Sequence, residues 1–563
     1  MENAEHGWKF DLRQIPFSRR GSFLFLEQEA DGQLRLSRQC KRYRLRTEDG
    51  AEERPYACSI EAVCEGQRLA LAATGEPDVL RLRSQSGWAE ICFDSYNAVR
   101  LKGGGMTLGL SCSPEWSMTD LQDGTFALWM DELGAFLIVP LEGAWRLEGQ
   151  RLMGSGETFE VCLHYAHHLP LRRERYRPFP SCQQEARRDF DAWQAMYPVL
   201  LPEHEAIRQL AAYSVWICQV EPIGIMKGPL MLYRKNDSAF CWQAAYHAMS
   251  IWNDADMAIE LLYSIFAWQD EWGQLPDLAD DLHVEFLSTK PPMQGFAFLF
   301  LLQKYGNGIT KAHCEKLYLP FARWFHWWMH MRDSDGDGIA QYNQGCECAM
   351  DTSAMLDRGT PAECPDLTAY LILLAEALAQ MACRMERRQE AQEWSGRAQR
   401  MLEGLVCSFW DGERFAARLS GSHEIIRVQE SDVYTPLILG KRLPAGIIRK
   451  MAQDLRDDYL TPIGIRHAPA HLSVPLGGIV GSFWQVKLVI GLYDAGEKEL
   501  AMEIARRYLK INVQHLPALG YPAAYADGKS GGPAHASAVT ALPCGIFFIL
   551  AGLLREWTEE TEL

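Results

Sequence analysis

Three aspartates define the chemistry open to this chain. Asp351, Asp357 and Asp366 fall within DSDGDGIAQYNQGCECAMDTSAMLDRGTPAECPDLTAY, residues 333–370, with aromatic-rich segments on both sides. Met350, Met355 and Leu356 would surround Asp351 with apolar groups, and such surroundings raise a carboxyl pKa. A protonated carboxyl in an aromatic-lined pocket is equipment for cleaving a glycosidic bond. That reaction takes two carboxyls, one protonated to release the leaving oxygen and one ionised. In inverting enzymes they stand roughly 6.5–9.5 Å apart to admit water. Asp351 fits the first role. It fits a helix cap equally well, because Asp, Thr and Ser are all capping types.

Positioning such groups takes a large scaffold, and 563 residues supply more than one ordinary core. Up to about Leu169 the chain reads as short alternating runs, such as SFLFLEQ, GWAEICF and TFEVCLHY, separated by Asp-Gly turns. This pattern predicts a β-sandwich over residues 1–175. QQEARRDFDAWQAMYPVL predicts a helical linker over 176–200. Beyond it about a dozen helical patterns follow one another, PDLTAYLILLAEALAQMACRM among them, with Asp366 beside Pro365 as a sensible cap. The fold class expected is an N-terminal β-sandwich followed by an (α/α)6 barrel over 201–563. An α-solenoid is the competing reading, but no fixed repeat period is visible. The loops between helix pairs would gather at one rim, where function concentrates.

The motifs in those loops resemble the (α/α)6-barrel, six-hairpin glycosidases, in particular the group containing trehalase, processing glucosidase I and mannosylglycerate hydrolase. The family's acid motif, similar to S-G-W-D-x-S-x-R, aligns with Cys348-Ala349-Met350-Asp351-Thr352-Ser353-Ala354-Met355. Asp351 and Ser353 match, while methionines stand for the tryptophan and the arginine. Asp366-Leu367-Thr368-Ala369-Tyr370-Leu371 echoes the D-L-N-A-Y-L that follows. Arg234-Lys235-Asn236-Asp237-Ser238-Ala239-Phe240 resembles R-x-W-D-S-x-F, with Trp242 nearby. Thr289-Lys290-Pro291-Pro292 resembles S-Q-P-P, with Lys290 in the glutamine position, and Gly481 to Leu492 resembles G-x-x-W-x-x-x-N-x-L-x-x-x-G-L. The resemblance implies an inverting glycoside hydrolase with Asp351 as acid. Substrate-binding candidates are Arg234, Asp237, Trp242, Lys290, Gln294, Asp357, Trp484 and His535. Lys290 adds a faint pointer to an anionic sugar.

One departure matters. The family places its base glutamate in a late segment, and the corresponding residue here is Ala523 in Tyr521-Pro522-Ala523-Ala524-Tyr525. A methyl group takes no proton from water. Glu430, in Gln429-Glu430-Ser431-Asp432, is the substitute candidate; its other reading is a carboxylate favoured by a helix start. Glu347 and Glu363 are further candidates to face the pocket. Loss of the base leaves two alternatives open. One is a carbohydrate-binding protein. The other is a different carbohydrate-active enzyme on the same barrel: a phosphorylase, lyase or epimerase.

Bulk properties narrow the partners. A net charge of −17 disfavours nucleic acid. No phosphate-cradling glycine loop implies an organic cofactor, and no ligand spacing implies a metal. Asp333-x-Asp335-x-Asp337-Gly338 resembles the start of a calcium loop. Its twelfth position is Gln344, so a tight acidic turn is the expectation, with a calcium site left open. Sixteen cysteines without a pairing pattern read as buried thiols in a reducing compartment. With no apolar leader and no obvious membrane span, the expectation is a cytoplasmic protein acting on a small carbohydrate. A homo-oligomer stays open.

Overall fold

The computed structural model describes residues 8–29, 32–38, 45–46, 52–53, 56–64, 67–233, 237–348, 353–474, 477–519, 525–527 and 540–562. The chain divides into two compact units. The first comprises Met1–Ala195, Ala212–Ser238 and Ala538–Thr540; the second comprises Met196–Ala211, Ala239–Ser537 and Ala541–Leu563.

The strand-rich N-terminal unit expected from alternation is present. Thirteen of its strands are hydrogen-bonded into one antiparallel sheet. Two long strands, Gly134–Glu148 and Arg151–Ala166, form its spine. The first half of Arg151–Ala166 pairs with Thr107–Cys112 and the second half with Ala98–Gly104. Serving two neighbours requires a bend. Its hairpin partner supplies one through register shifts around Glu142, beside Gly143 at φ +83°. The helix Phe179–Ala195 packs on the strand Trp88–Ser95, burying Phe179 and Cys182 against Cys92.

The second unit is an (α/α)6 barrel. Six inner segments alternate along the chain with outer helices. The inner ones are Gln243–Ser250, Gln294–Tyr305, Pro365–Arg384, the 3₁₀ stretch Ser431–Arg442, Ser482–Asp494 and Ala541–Glu562. Each packs against the next, and Ala541–Glu562 returns to pack on Gln243–Ser250, so the ring closes. The outer helices between them are Ala255–Tyr263, Lys311–Met331, Arg388–Phe409, Ala445–Asp454 and Lys498–Leu519. Their sequences show the difference. Arg388–Phe409 is amphipathic, with Trp394, Ala398, Leu405 and Phe409 inward. Pro365–Arg384 is apolar almost all round and buried along most of its length. That helix and Ala541–Thr561 are long and apolar enough to cross a membrane, but 83% of each apolar window is buried within the protein, as befits inner helices of a ring. Trp324 and Trp328 are fully buried and Trp327 nearly so, packing residues as their spacing predicts.

Close approach of the inner helices depends on glycine. A Cβ on Gly295 would lie 2.4 Å from Leu374 Cα, on the neighbouring inner helix. Gly295→Ala should therefore destabilise the protein by about 2 kcal/mol through overpacking. Gly404→Ala, on the outer helix Arg388–Phe409 with nothing within 4 Å, should be neutral or stabilising. Denaturant midpoints of the two variants check this contrast.

Candidate active site

Because the chain alternates inner and outer helices, the inner helices run in parallel and their N-termini meet at one end of the ring. The loops at that end are tied by short ladders. Gln341–Tyr342, Ala362–Glu363, Ala417–Leu419 and Ile425–Ile426 form one of them, and Ile479–Gly481 pairs with Tyr525–Asp527. The latter lays the segment just after Ala523 beside the start of the inner helix Ser482–Asp494.

The first turns of the inner helices bury polar groups where an ordinary core would have hydrocarbon. Gln243, Gln294, Asp366, Asp432 and Ser482 are all at most 3% exposed. Asp366 is not the helix cap that its place beside Pro365 suggests. It lies one residue inside Pro365, and its Oδ2 accepts a hydrogen bond from the Tyr342 hydroxyl at 2.9 Å. Burial and the neighbouring Asp432 push its carboxyl up to about 6. Lys487 is a buried cation of this interior. Its Nζ donates to Thr435 Oγ1 at 2.8 Å and lies 3.7 Å from Asp432 Oδ1. Oδ1 of Asp366, Oδ2 of Asp432 and Oε1 of Gln243 and Gln294 have no hydrogen-bond donor among the described residues.

Glu430 stands at the entrance to the inner segment Ser431–Arg442 and is 4% exposed. Its Oε2 accepts the Ala354 N–H at 2.7 Å, three positions from Asp351 in sequence. His467 Nε2 is 3.7 Å away. Burial lowers the pKa of that imidazole, and its Nδ1 lies 3.1 Å from the Ser431 hydroxyl. A neutral imidazole offers no full countercharge. Burial therefore lifts the Glu430 carboxyl to about 7 against the pull of the Ala354 N–H, with Asp432 and Asp357 pushing in the same direction. A carboxyl poised near neutrality can take or give a proton at working pH.

The other candidates fall in several places. Asp351, Arg234, His535 and Ala523 lie outside the described residues. Asp357 is exposed just after the 3₁₀ turn Ala354–Leu356, near enough to Glu430 to act on its charge. Lys290 is buried, and its Nζ donates to the Cys346 and Cys348 carbonyls, so it braces the strand of chain leading to Asp351. Gln294 Nε2 donates to the Cys241 carbonyl at 3.1 Å. Trp242 sits edge-to-face against Tyr246 and Phe483. Trp484, named for sugar stacking, is fully buried; its indole N–H is bonded to the Ile465 carbonyl and its ring packs near His467. It shapes the wall. Asp237 accepts the Ser238 N–H at the end of the segment Ala212–Ser238. Glu347 and Glu363 are buried in ion pairs with Arg332 and Arg418.

Sequence reasoning missed Asp432, Lys487, Tyr342 and His467. Lys487 alone leaves a trace there, a lysine inside the apolar run Val486 to Leu492.

Comparison with known proteins agrees with this architecture. Residues 236–473 match the family model of the mannosylglycerate hydrolase MGH1-like glycoside hydrolase domain, a span that holds Asp237, Lys290, Asp351 and Glu430. No curated protein matches the chain in sequence. Among solved structures, the GH63 mannosylglycerate hydrolase from Thermus thermophilus in complex with glucose is 17% identical with a TM-score of 0.50; 60% of this chain and 98% of that one are covered. The same enzyme in complex with Tris and D-glycerate is 15% identical, with a TM-score of 0.51 and coverages of 61% and 99%. At such identities the likeness speaks to the fold. The six-hairpin glycosidase resemblance read from the loop motifs holds.

Proposed function

We propose that this chain hydrolyses a small α-linked oligosaccharide or glycoside with inversion. Asp351 gives its proton to the leaving oxygen, and Glu430 draws a proton from the attacking water. The observation that carries this reading is Glu430: a buried carboxyl near neutral pKa, hydrogen-bonded to the segment that bears Asp351. The glycoside hydrolase domain match over residues 236–473 supports the reaction class. The similar Thermus enzyme binds glucose and D-glycerate, which makes an α-glycoside of glycerate a first substrate to try. Lys290 gives no added reason for an anionic substrate, because its ammonium is engaged by backbone carbonyls. The described cysteines are all free thiols, which supports a cytoplasmic location.

Asp351→Asn is the direct test. Turnover should fall about 10³-fold, with sugar binding by calorimetry retained. Activity within a few-fold of wild type removes Asp351 from the mechanism. Early-time proton NMR of the released sugar reads the stereochemistry: the β-anomer from an α-glycoside supports inversion, and the α-anomer overturns it. Tight binding by the wild-type chain without any turnover would make it a carbohydrate-binding protein.

A further inference from the structure

The outer helices Lys311–Met331 and Arg388–Phe409 touch near Trp394 and separate farther on. Trp394 meets Phe325 edge-to-face and donates its indole N–H to the Tyr318 hydroxyl at 3.0 Å. Arg397, Arg400, Met401, Gly404 and Ser408 then follow at helical spacing on one face. Gly404 carries no side chain, and nothing lies within 4 Å of where its Cβ would be. A cleft of about 600 Å³ opens there between the two helices and reaches inward to Thr368 on the inner helix Pro365–Arg384. It lies on the flank of the ring, and Glu430 is not among its walls.

The charges of this cleft do not balance. Arg397 lies over the Phe325 and Trp394 rings, 5.4 and 5.1 Å from their centroids, and Arg400 is exposed one turn on. Neither forms an ion pair among the described residues, in a chain whose net charge is −17. On the other helix His326 and His330 stack in parallel, with ring centroids 5.4 Å apart. Burial lowers the pKa of His326, and Arg397 and His330 lower it further, the mark of a positive field without a counterion. The two carboxylates in the walls are engaged elsewhere. Asp333 accepts the Gly336 and Gly338 N–H groups, and Asp337 is held by Arg418.

We propose that this cleft binds a phosphorylated monosaccharide, with Arg397 and Arg400 on the phosphate. Guanidinium groups match the geometry of phosphate and pair with it through charge-assisted hydrogen bonds. Arg397 is already set against two rings, so it loses little freedom on binding. The volume falls within the range of small-ligand pockets, roughly 300–1,000 Å³, and a bare phosphate would leave most of it empty. Met329, Met401 and Leu405 supply apolar surface for the C–H face of a sugar ring. The Thr368 and Ser408 hydroxyls and the Asp333 carboxylate offer partners for its hydroxyls. This is a second site, separate from that of Glu430, and its inner end meets the helix that carries Asp366.

Isothermal titration of the full-length chain with glucose 6-phosphate tests this, with glucuronate and inorganic phosphate as comparison probes. Saturable binding is expected, tighter than for either comparison probe and accompanied by a raised melting temperature. Arg400→Glu should weaken it more than about tenfold, the loss expected for a charge-assisted contact. Arg400 is exposed, so this variant keeps its fold. Arg449→Glu makes the same charge change on a different outer helix, Ala445–Asp454, and should leave affinity within about twofold, because remote exposed charges are screened. Gly404→Leu fills the cleft without altering charge and should abolish binding. Glu430→Gln should leave it unchanged, which separates this site from the one proposed for hydrolysis. No saturable binding, or a comparison probe held as tightly, would overturn the assignment. So would unchanged affinity in Arg400→Glu or in folded Gly404→Leu, or loss of binding in Glu430→Gln.

Discussion

Glu430→Gln should reduce kcat by about 10³-fold, within the range for loss of a general base, and leave sugar affinity within a few-fold of wild type. The amide keeps the shape and can still accept the Ala354 N–H, so the loop stays in place. Its second signature is in the pH profile. A base must be ionised, and this carboxyl is lifted to about 7. The wild-type kcat/KM should therefore fall on the acid side with a midpoint near pH 7. In the variant that limb should vanish from the residual activity. The stability consequence has the opposite sense. A carboxyl raised in the folded state favours folding fully below its unfolded value near 4.5, and that advantage is lost as pH rises through about 7. At about 1.4 kcal/mol per pH unit, the wild type should lose on the order of 3 kcal/mol from this group between pH 4 and 8. Glu430→Gln should be spared that loss. Denaturant titrations at the two pH values measure it. Full activity in the folded variant would move the base elsewhere.

Lys487→Met should be strongly destabilising. It removes the positive charge facing Asp432 and leaves two buried carboxyls, Asp432 and Asp366, to repel one another. Breaking a buried ion pair from one side costs about 3–5 kcal/mol. The loss should shrink at pH 5. Asp366 already holds its proton up to about 6 because of burial and Asp432, and removing the lysine raises it further. The protein is thus expected to unfold at distinctly lower denaturant at pH 8, with the gap to wild type narrowing as pH falls. A pH-independent difference would show that lost packing, not charge, is responsible.

Much of the architecture was legible in the sequence because it rests on periodicity. Alternation in GWAEICF and TFEVCLHY marked strands, and the all-apolar helix beginning at Pro365 marked an inner element. The loop motifs were legible too, and Glu430 accepts the Ala354 N–H from the loop after them. Side-chain direction was not. Lys290 occupies a motif position yet turns to the Cys346 and Cys348 carbonyls, since a buried ammonium must find acceptors. Trp484 sits in a rim motif, yet its indole folds over Gly481, where a Cβ would lie 2.6 Å from the ring. Asp366 beside a proline looked like a cap, but a carboxyl facing the interior and a cap differ by one residue of register. Lys487 could not be paired with Asp432 by any local pattern, because their contact spans different helices.

The seal of the helical ring carries a kinetic consequence. The seam between Gln243–Ser250 and Ala541–Glu562 joins segments roughly 300 residues apart in the chain. Partial assemblies of the earlier hairpins would present an open wedge of apolar surface until that seam zips shut. Refolding from denaturant should accordingly be slow and concentration-sensitive, with chaperones improving the yield.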